Sequence, residues 1–174
     1  EWSVLWDFAC YHGGVVPRFD RQGRLVLEGH KNQRALTLDG RTAVTAWEYR
    51  DQRHGVLSQA AVRRRTAAGV QWVRDENFIA QGGCARRVVT VPNTTAGAAM
   101  RYSADWQLKA SRRDRVRLTV TLPGAFAAWP GELVAVSRTG MGPAGEYRVA
   151  ESTVACRAKG LSTTLELAPP DVMI

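Results

Sequence analysis

The segment at residues 115–122 limits the fold most strongly, because its side chains alternate between apolar and polar. Apolar residues occupy every second position: Val116, Leu118, Val120 and Leu122. Arginines and threonines fill the positions between them. Successive side chains of a β-strand point to opposite faces of the sheet, so this period of two predicts a strand with one buried face.

Shorter β-prone segments recur along the chain, separated by turns rich in glycine, proline and aspartate. They lie at 15–20, 24–28, 35–39, 42–49, 56–66, 70–73, 85–91, 132–137, 147–149, 154–156 and 165–167. Asp39-Gly40 has the sequence of a hairpin turn, and residues 140–145 are predicted to form a loop. Many short strands with frequent turns predict a small barrel or sandwich, and closing a barrel hides the sheet edges.

Two segments have the spacing of helices. Residues 2–12 resemble the end of a helix, which is terminated by a pair of glycines. A second helix is predicted from Thr94 or Thr95 to about Lys109. Its apolar stripe is expected to consist of four residues: Ala99, Tyr102, Trp106 and Ala110.

These patterns predict an α+β fold that is mainly β: a small β-barrel with one inserted helix, preceded by part of a small α/β domain. We expect the partial α/β domain, a helix plus a β-hairpin, at residues 1–40. The barrel domain is expected at 41–174, with its helix at about 95–110. The chain starts at Glu1 within a helical pattern, which indicates a piece of a longer protein.

No motif that usually carries catalysis or holds a cofactor is present in the sequence. The histidines lack a carboxylate or cysteine at metal-ligand spacing: His12, His30 and His54. The cysteines are far apart and form no C-x-x-C pair: Cys10, Cys84 and Cys156. The adjacent acids Asp75 and Glu76 would point to opposite faces of a strand, which makes them a poor acid/base pair. We therefore predict that the protein is not an enzyme and binds no cofactor. We also predict no catalytic, cofactor-binding or metal-binding residue.

The charge balance is the one compositional feature that suggests a partner. The formal net charge is +8, with 24 Lys and Arg against 16 Asp and Glu. Within the run 63–65, strand geometry would place Arg63 and Arg65 on one face and Arg64 on the other. A second arginine group lies near the start of the strand at 115: Arg112, Arg113, Arg115 and Arg117. Both groups favour a solvated or subunit-facing surface.

Two other functions stay open at this stage. A nucleic-acid-binding β-barrel module is the main alternative, although base stacking needs aromatic residues on the basic face and only Trp72 lies near the first cluster. A carbohydrate-binding accessory domain of a wall hydrolase has only the tryptophans in its favour. No apolar run approaches the roughly 20 residues that cross a bilayer, so no membrane partner is predicted.

The C-terminal third contains an ordered series of motifs. Val-Thr-Leu-Pro-Gly at 120–124 is followed by Ala-Trp-Pro-Gly-Glu-Leu-Val-Ala-Val at 128–136. Gly-Glu-Tyr-Arg-Val then stands at 145–149, and Gly-Leu-Ser-Thr-Thr-Leu-Glu-Leu-Ala-Pro-Pro-Asp at 160–171. This series resembles the end of baseplate hub proteins of contractile phage tails, the group of Mu-type tail protein P and late control protein D.

The resemblance extends toward the start of the chain. The alanine-rich segment 95–110 resembles the helix that precedes this region in the family. Trp-Asp-Phe at 6–8, Phe-Asp at 19–20 and Gly-Arg-Leu at 23–25 resemble the small α/β domain of the hub, in which a helix leads to a hairpin. These motifs follow one another in the same order as in the family and cover most of the chain. The chain thus resembles the central and C-terminal part of a hub protein.

The resemblance implies a structural role in a phage or prophage tail baseplate. Hub proteins of this family are trimers whose two barrels per chain form a pseudo-sixfold ring, and the ring connects the tail tube to the central spike. The N-terminal barrel of the family has no counterpart here, so the trimer is expected of the full-length chain. The expected partners are sister copies, the spike and the tube proteins. The expected location is the virion, after assembly in the bacterial cytoplasm, and an arginine-rich barrel wall would contact acidic neighbours.

Overall fold

A computed structural model describes residues 1–10, 15–20, 22–66, 68–158 and 160–172. The helices are α1 (Trp2–Phe8), α2 (Glu76–Ala80) and α3 (Gly97–Arg112). The strands are β1 (Arg18–Phe19), β2 (Leu25–Val26), β3 (Arg34–Leu38), β4 (Ala46–Asp51), β5 (Gln59–Arg64), β6 (Val70–Arg74), β7 (Arg86–Val91), β8 (Val116–Pro123), β9 (Leu133–Val136), β10 (Gly145–Arg157) and β11 (Gly160–Ala168). The described residues group into two compact units.

The second unit, His30–Gln52 with Arg113–Val172, is built on a six-stranded sheet. Its strand order is β3-β9-β10-β11-β8-β4, antiparallel except for the parallel pair β3–β9. The sheet curls into half of a barrel. The predicted alternation in β8 is confirmed, because Leu118, Val120 and Leu122 are fully buried in the core. Each such side chain contributes about 1.5–3 kcal/mol by leaving water.

The predicted hairpin at Asp39-Gly40 is wrong, although a turn does form there. Asp39 Oδ1 accepts hydrogen bonds from the backbone N–H groups of Arg41 and Thr42, at 2.9 and 3.0 Å. The strands on either side, β3 and β4, lie at opposite edges of the sheet. An Asp-Gly pair favours a turn on local grounds, whereas the partner of each strand is chosen by contacts distant in sequence.

The first unit, Glu1–Gly29 with Arg53–Arg112, contains a three-stranded sheet in the order β6-β5-β7. β5 pairs antiparallel with β6 and parallel with β7. Helix α3 covers one face of this sheet. The residues that form this core come from both elements: Leu57, Ala60, Val62, Met100, Ala104 and Leu108. The fold class predicted from the sequence, mainly β with one inserted helix, is confirmed.

The apolar stripe predicted for α3 is wrong. Tyr102 is exposed, whereas Met100, Ala104 and Leu108 face the sheet. Both sets of residues have helical spacing, so periodicity alone does not choose between them. The face of α3 that contains Ala104 packs on the sheet, because this small side chain lets the helix approach β5 closely.

The two units divide the chain differently from the predicted boundary between residues 40 and 41. The chain passes from one unit to the other after Gly29, Gln52 and Arg112. The predicted barrel strands at 56–66, 70–73 and 85–91 instead form the separate sheet β6-β5-β7, because their shared apolar face packs on α3. Strand β3, which precedes residue 40, joins the six-stranded sheet through β9.

A buried arginine ties three segments of the second unit together. Arg148 on β10 is only 5% exposed. Its guanidinium donates to the backbone carbonyl of Gly131 at 2.6 Å and to Asn32 Oδ1 at 3.0 Å. A longer bond of 3.4 Å reaches the carbonyl of Pro170. One cation therefore holds the segment before β3, the turn before β9 and the segment after β11 against β10.

Replacing this arginine is expected to destabilise the protein. Arg148→Met removes the bonds and leaves the buried carbonyl of Gly131 without this donor, which lowers the free energy of unfolding by about 3 kcal/mol. Urea denaturation followed by circular dichroism measures the change. Arg157→Met is the matched control, because Arg157 is exposed on the same strand and its loss costs about 0.5 kcal/mol or less. Equal losses in both variants would contradict the buried role.

A second prediction separates backbone strain from steric contact at two glycines. Gly131 and Gly140 have nearly the same left-handed φ, +92° and +89°. A Cβ at Gly140 meets nothing within 4 Å, whereas one at Gly131 would lie 2.2 Å from His30 Nδ1. Gly140→Ala is expected to cost about 1 kcal/mol from φ alone. Gly131→Ala should cost clearly more in the same denaturation experiment, and a smaller or equal cost would show that His30 does not contact the turn.

Candidate assembly surface

Strand β5 directs its side chains to two different environments. Ala60 and Val62 face α3 and are fully buried. Arg64 lies on the same side and donates to the backbone carbonyl of Thr95 through Nε at 3.1 Å and Nη2 at 2.9 Å. Alternation places Arg63 on the opposite side, as predicted for a strand. The run of arginines is thus split between an internal contact and an exposed face.

The register of the sheet brings an apolar row together on that exposed face. Ala61 stands directly between Trp72 on β6 and Val88 on β7. Trp72 is 43% exposed and Val88 is 55% exposed, and they cover Ala61, which is 1% exposed. Val70, opposite Arg63, adds a further exposed apolar side chain. Three large apolar side chains therefore face solvent on one small sheet.

Arginines flank this row. Arg74 and Arg86 lie on either side of Gln59 in the register. The guanidinium carbon of Arg74 lies 5.7 Å from the ring centroid of Trp72, a cation–π distance that contributes about 0.5–1 kcal/mol at an exposed site. Arg63 donates to Thr90 Oγ1 at 3.3 Å.

We call this surface the outer face. Its residues share the side of the sheet that is turned away from α3: Gln59, Ala61, Arg63, Val70, Trp72, Arg74, Arg86, Val88 and Thr90. No carboxylate is among them. Tryptophan and arginine are enriched where proteins contact one another, and both supply a large share of binding energy. The outer face has this composition.

Three of the four arginines in the second predicted group form ion pairs within the chain. Arg112 pairs with Asp75. Arg115 Nε lies 3.0 Å from Asp51 Oδ1. Arg117 also has a carboxylate partner, Asp114, with 2.7 Å between the closest nitrogen and oxygen. These residues therefore add less to an external basic surface than the sequence suggested.

The residues considered for chemistry do not come together in one place. His30 contacts the turn at Gly131, His54 is exposed, and His12 lies outside the described residues. Asp75 caps α2 by accepting a hydrogen bond from the N–H of Phe78 at 3.0 Å. Within the described ranges, no group of three His, Cys, Asp or Glu side chains is placed to hold a metal ion. No helix of that part of the chain is long and apolar enough to cross a membrane.

A pocket of about 390 Å³ lies between α1, the end of β7 and the start of α3. Its lining is mostly apolar and includes Val4, Phe8, Val89 and Val91. Asp7 is the titratable side chain among its described lining residues. A single carboxylate does not form an acid/base pair, so the described lining residues supply no such pair.

Burial raises the pKa of two side chains. The thiol of Cys10 is fully buried, and burial followed by the negative charge of Asp7 holds its pKa above the usual value. Burial also raises the pKa of Tyr147, with a smaller contribution from Tyr49. The Tyr147 hydroxyl donates to the carbonyl of Pro143 at 2.8 Å, so it closes the loop before β10.

Comparisons with known proteins show which solved structures share the fold. The 43 kDa tail protein of prophage MuSo2 from Shewanella oneidensis matches with a TM-score of 0.78 and 19% identity, over 94% of this chain and 53% of that one. The tail protein from Neisseria meningitidis MC58 matches with a TM-score of 0.76 and 20% identity, over 99% of this chain and 55% of that one. A chain of the virion of a native gene transfer agent particle matches with a TM-score of 0.54 and 15% identity, over 91% and 37%.

These likenesses establish the fold. The chain spans about half the length of the two tail proteins. No protein-family model matches the chain. No curated protein matches it in sequence.

The cysteine environments predict a difference in reactivity. Cys84 and Cys156 are exposed and should react with a disulfide reagent such as Ellman's reagent in the native protein at about pH 8. Cys10 should react only after denaturation, because burial removes access and its raised pKa lowers the thiolate fraction. Cys10→Ser is the control and should leave the native reaction unchanged. Equal native rates for all three thiols would contradict the buried position.

Proposed function

We propose that this protein is a non-enzymatic structural component of a phage or prophage tail. The observation that carries the proposal is the fold: almost the whole chain superposes on two tail proteins at TM-scores of 0.78 and 0.76. At 19–20% identity the likeness shows the architecture. The role is proposed by analogy, because both of those proteins are named as tail proteins.

Within the tail, we place the protein in the baseplate hub, in a ring that joins the tube to the central spike. The six-stranded sheet supports a ring role, because β3 and β4 are its edge strands. Unpaired strand edges invite pairing with another chain. Contacts between two different surfaces of identical subunits repeat by rotation and close a ring. The full-length chain is proposed to form a trimer of this kind.

The nucleic-acid alternative has one observation in its favour, since Trp72 does lie on the same face as Arg63. Two observations weaken it. The other exposed apolar side chains on that face are Val70 and Val88, and valine offers no ring on which a base can stack. Several arginines are also bonded within the units: Arg24, Arg34, Arg64, Arg112, Arg115, Arg117, Arg138 and Arg148.

Deleting the gene tests the structural role. In the bacterium that produces the particles, deletion is expected to abolish complete tails, and the intact gene supplied in trans should restore them. Electron microscopy of purified particles measures tail completeness, and mass spectrometry of the same particles detects the protein. A hub subunit belongs in every particle, since nothing joins tube and spike without it. Complete tails in the deletion strain, or restored particles without the protein, would refute the proposal.

A further inference from the structure

We infer that the outer face docks an acidic surface of another protein in the same particle. Trp72 and Val88 are the apolar anchors of this contact. The charged contacts come from three arginines: Arg63, Arg74 and Arg86. The inference rests on the proposed function, because that function supplies the particle in which the partner is found.

The charge of the face sets the chemistry of the partner. Arginines that lose water in an interface need negatively charged acceptors, because a buried cation without a partner is costly. The outer face supplies no carboxylate of its own. Carboxylates of the partner can accept paired hydrogen bonds from the guanidinium groups. The partner is therefore acidic where it meets Arg63, Arg74 and Arg86.

The apolar row sets the second requirement. Trp72, Val88 and Val70 expose large side chains that α3 leaves uncovered, since α3 lies on the other side of the sheet. Covering such a row removes apolar surface from water, which favours association. The partner then presents an apolar side chain between its carboxylates. A polyanion such as DNA satisfies the arginines but leaves the valines without a matching contact.

A second copy of this chain fits the outer face poorly. In the given residues, 24 Lys and Arg outnumber 16 Asp and Glu, so a second copy offers a basic rather than an acidic surface on average. Two outer faces also repel each other, because each has three arginines and no carboxylate. Six of the 16 acidic residues already pair with the chain's own cations: Asp20, Asp51, Asp75, Asp105, Asp114 and Glu146. A different protein with an acidic patch is the occupant that the charge favours.

Charge reversal in the producing strain tests this contact. The double variant Arg63→Glu with Arg86→Glu is expected to reduce incorporation of the protein into particles by about tenfold or more, because two contacts become repulsive. The control is Arg101→Glu with Arg157→Glu, which makes the same change of charge at two exposed arginines that do not belong to the outer face. Quantitative mass spectrometry of particles measures incorporation, and circular dichroism of the purified variants verifies that both fold.

Photo-crosslinking identifies the occupant. Benzoylphenylalanine introduced at Val88 is expected to crosslink an acidic segment of another particle protein. The same residue introduced at Tyr102, an exposed position on α3, should not crosslink that segment. A crosslink from Val88 to DNA or to a second copy, or normal incorporation of the folded outer-face double variant, would overturn the inference. Absence of the wild-type protein from particles would instead refute the proposed function, and the two failures are therefore distinguishable.

Discussion

Burial of one face of each of the two larger sheets is the constraint on which the rest of this structure depends. In the six-stranded sheet, Leu118, Val120 and Leu122 line the inside of the curl. In the three-stranded sheet, α3 covers one face and leaves the other to solvent. A sheet is stable when one apolar face is covered, so the outer face is not needed for folding. The exposure of Trp72 and Val88 on that face is therefore better explained by association than by stability.

The local parts of the fold could be predicted from the sequence, and the pairings could not. The period of two in β8 is unambiguous, because each alternate residue is apolar over the whole strand. The turn at Asp39 was also predictable, since its side chain accepts hydrogen bonds from the backbone N–H groups two and three residues further along the chain. That β3 then pairs in parallel with β9, almost 100 residues later, depends on the packing of distant side chains. A turn motif contains no information about such a partner.

For the candidate surface too, the local structure could be predicted from the sequence, whereas the pairing of distant segments could not. The alternation of side chains along a strand predicted, from the sequence alone, that Arg63 and Arg64 lie on opposite sides of the sheet. Trp72 lies beside them because of the register between β5 and β6. Val88 lies there because β7, which follows α2 in the chain, pairs in parallel with β5. The arginines near residue 115 looked equally basic in sequence. Two of their carboxylate partners, Asp51 and Asp75, come from segments 64 and 37 residues away, so composition could not separate internal from external arginines.

The proposed assembly would use two kinds of surface for two tasks. Edge strands such as β3 and β4 present backbone donors and acceptors, which pair with any strand of suitable length and therefore provide little discrimination between partners. The outer face presents side chains, and its arginines repel a basic partner as strongly as they attract an acidic one. Ring closure through backbone edges joins sister copies, and attaching the ring to a different protein needs a second contact that selects this partner. A basic face with an apolar row provides that selection, which is why its charge reversal should affect incorporation more than folding.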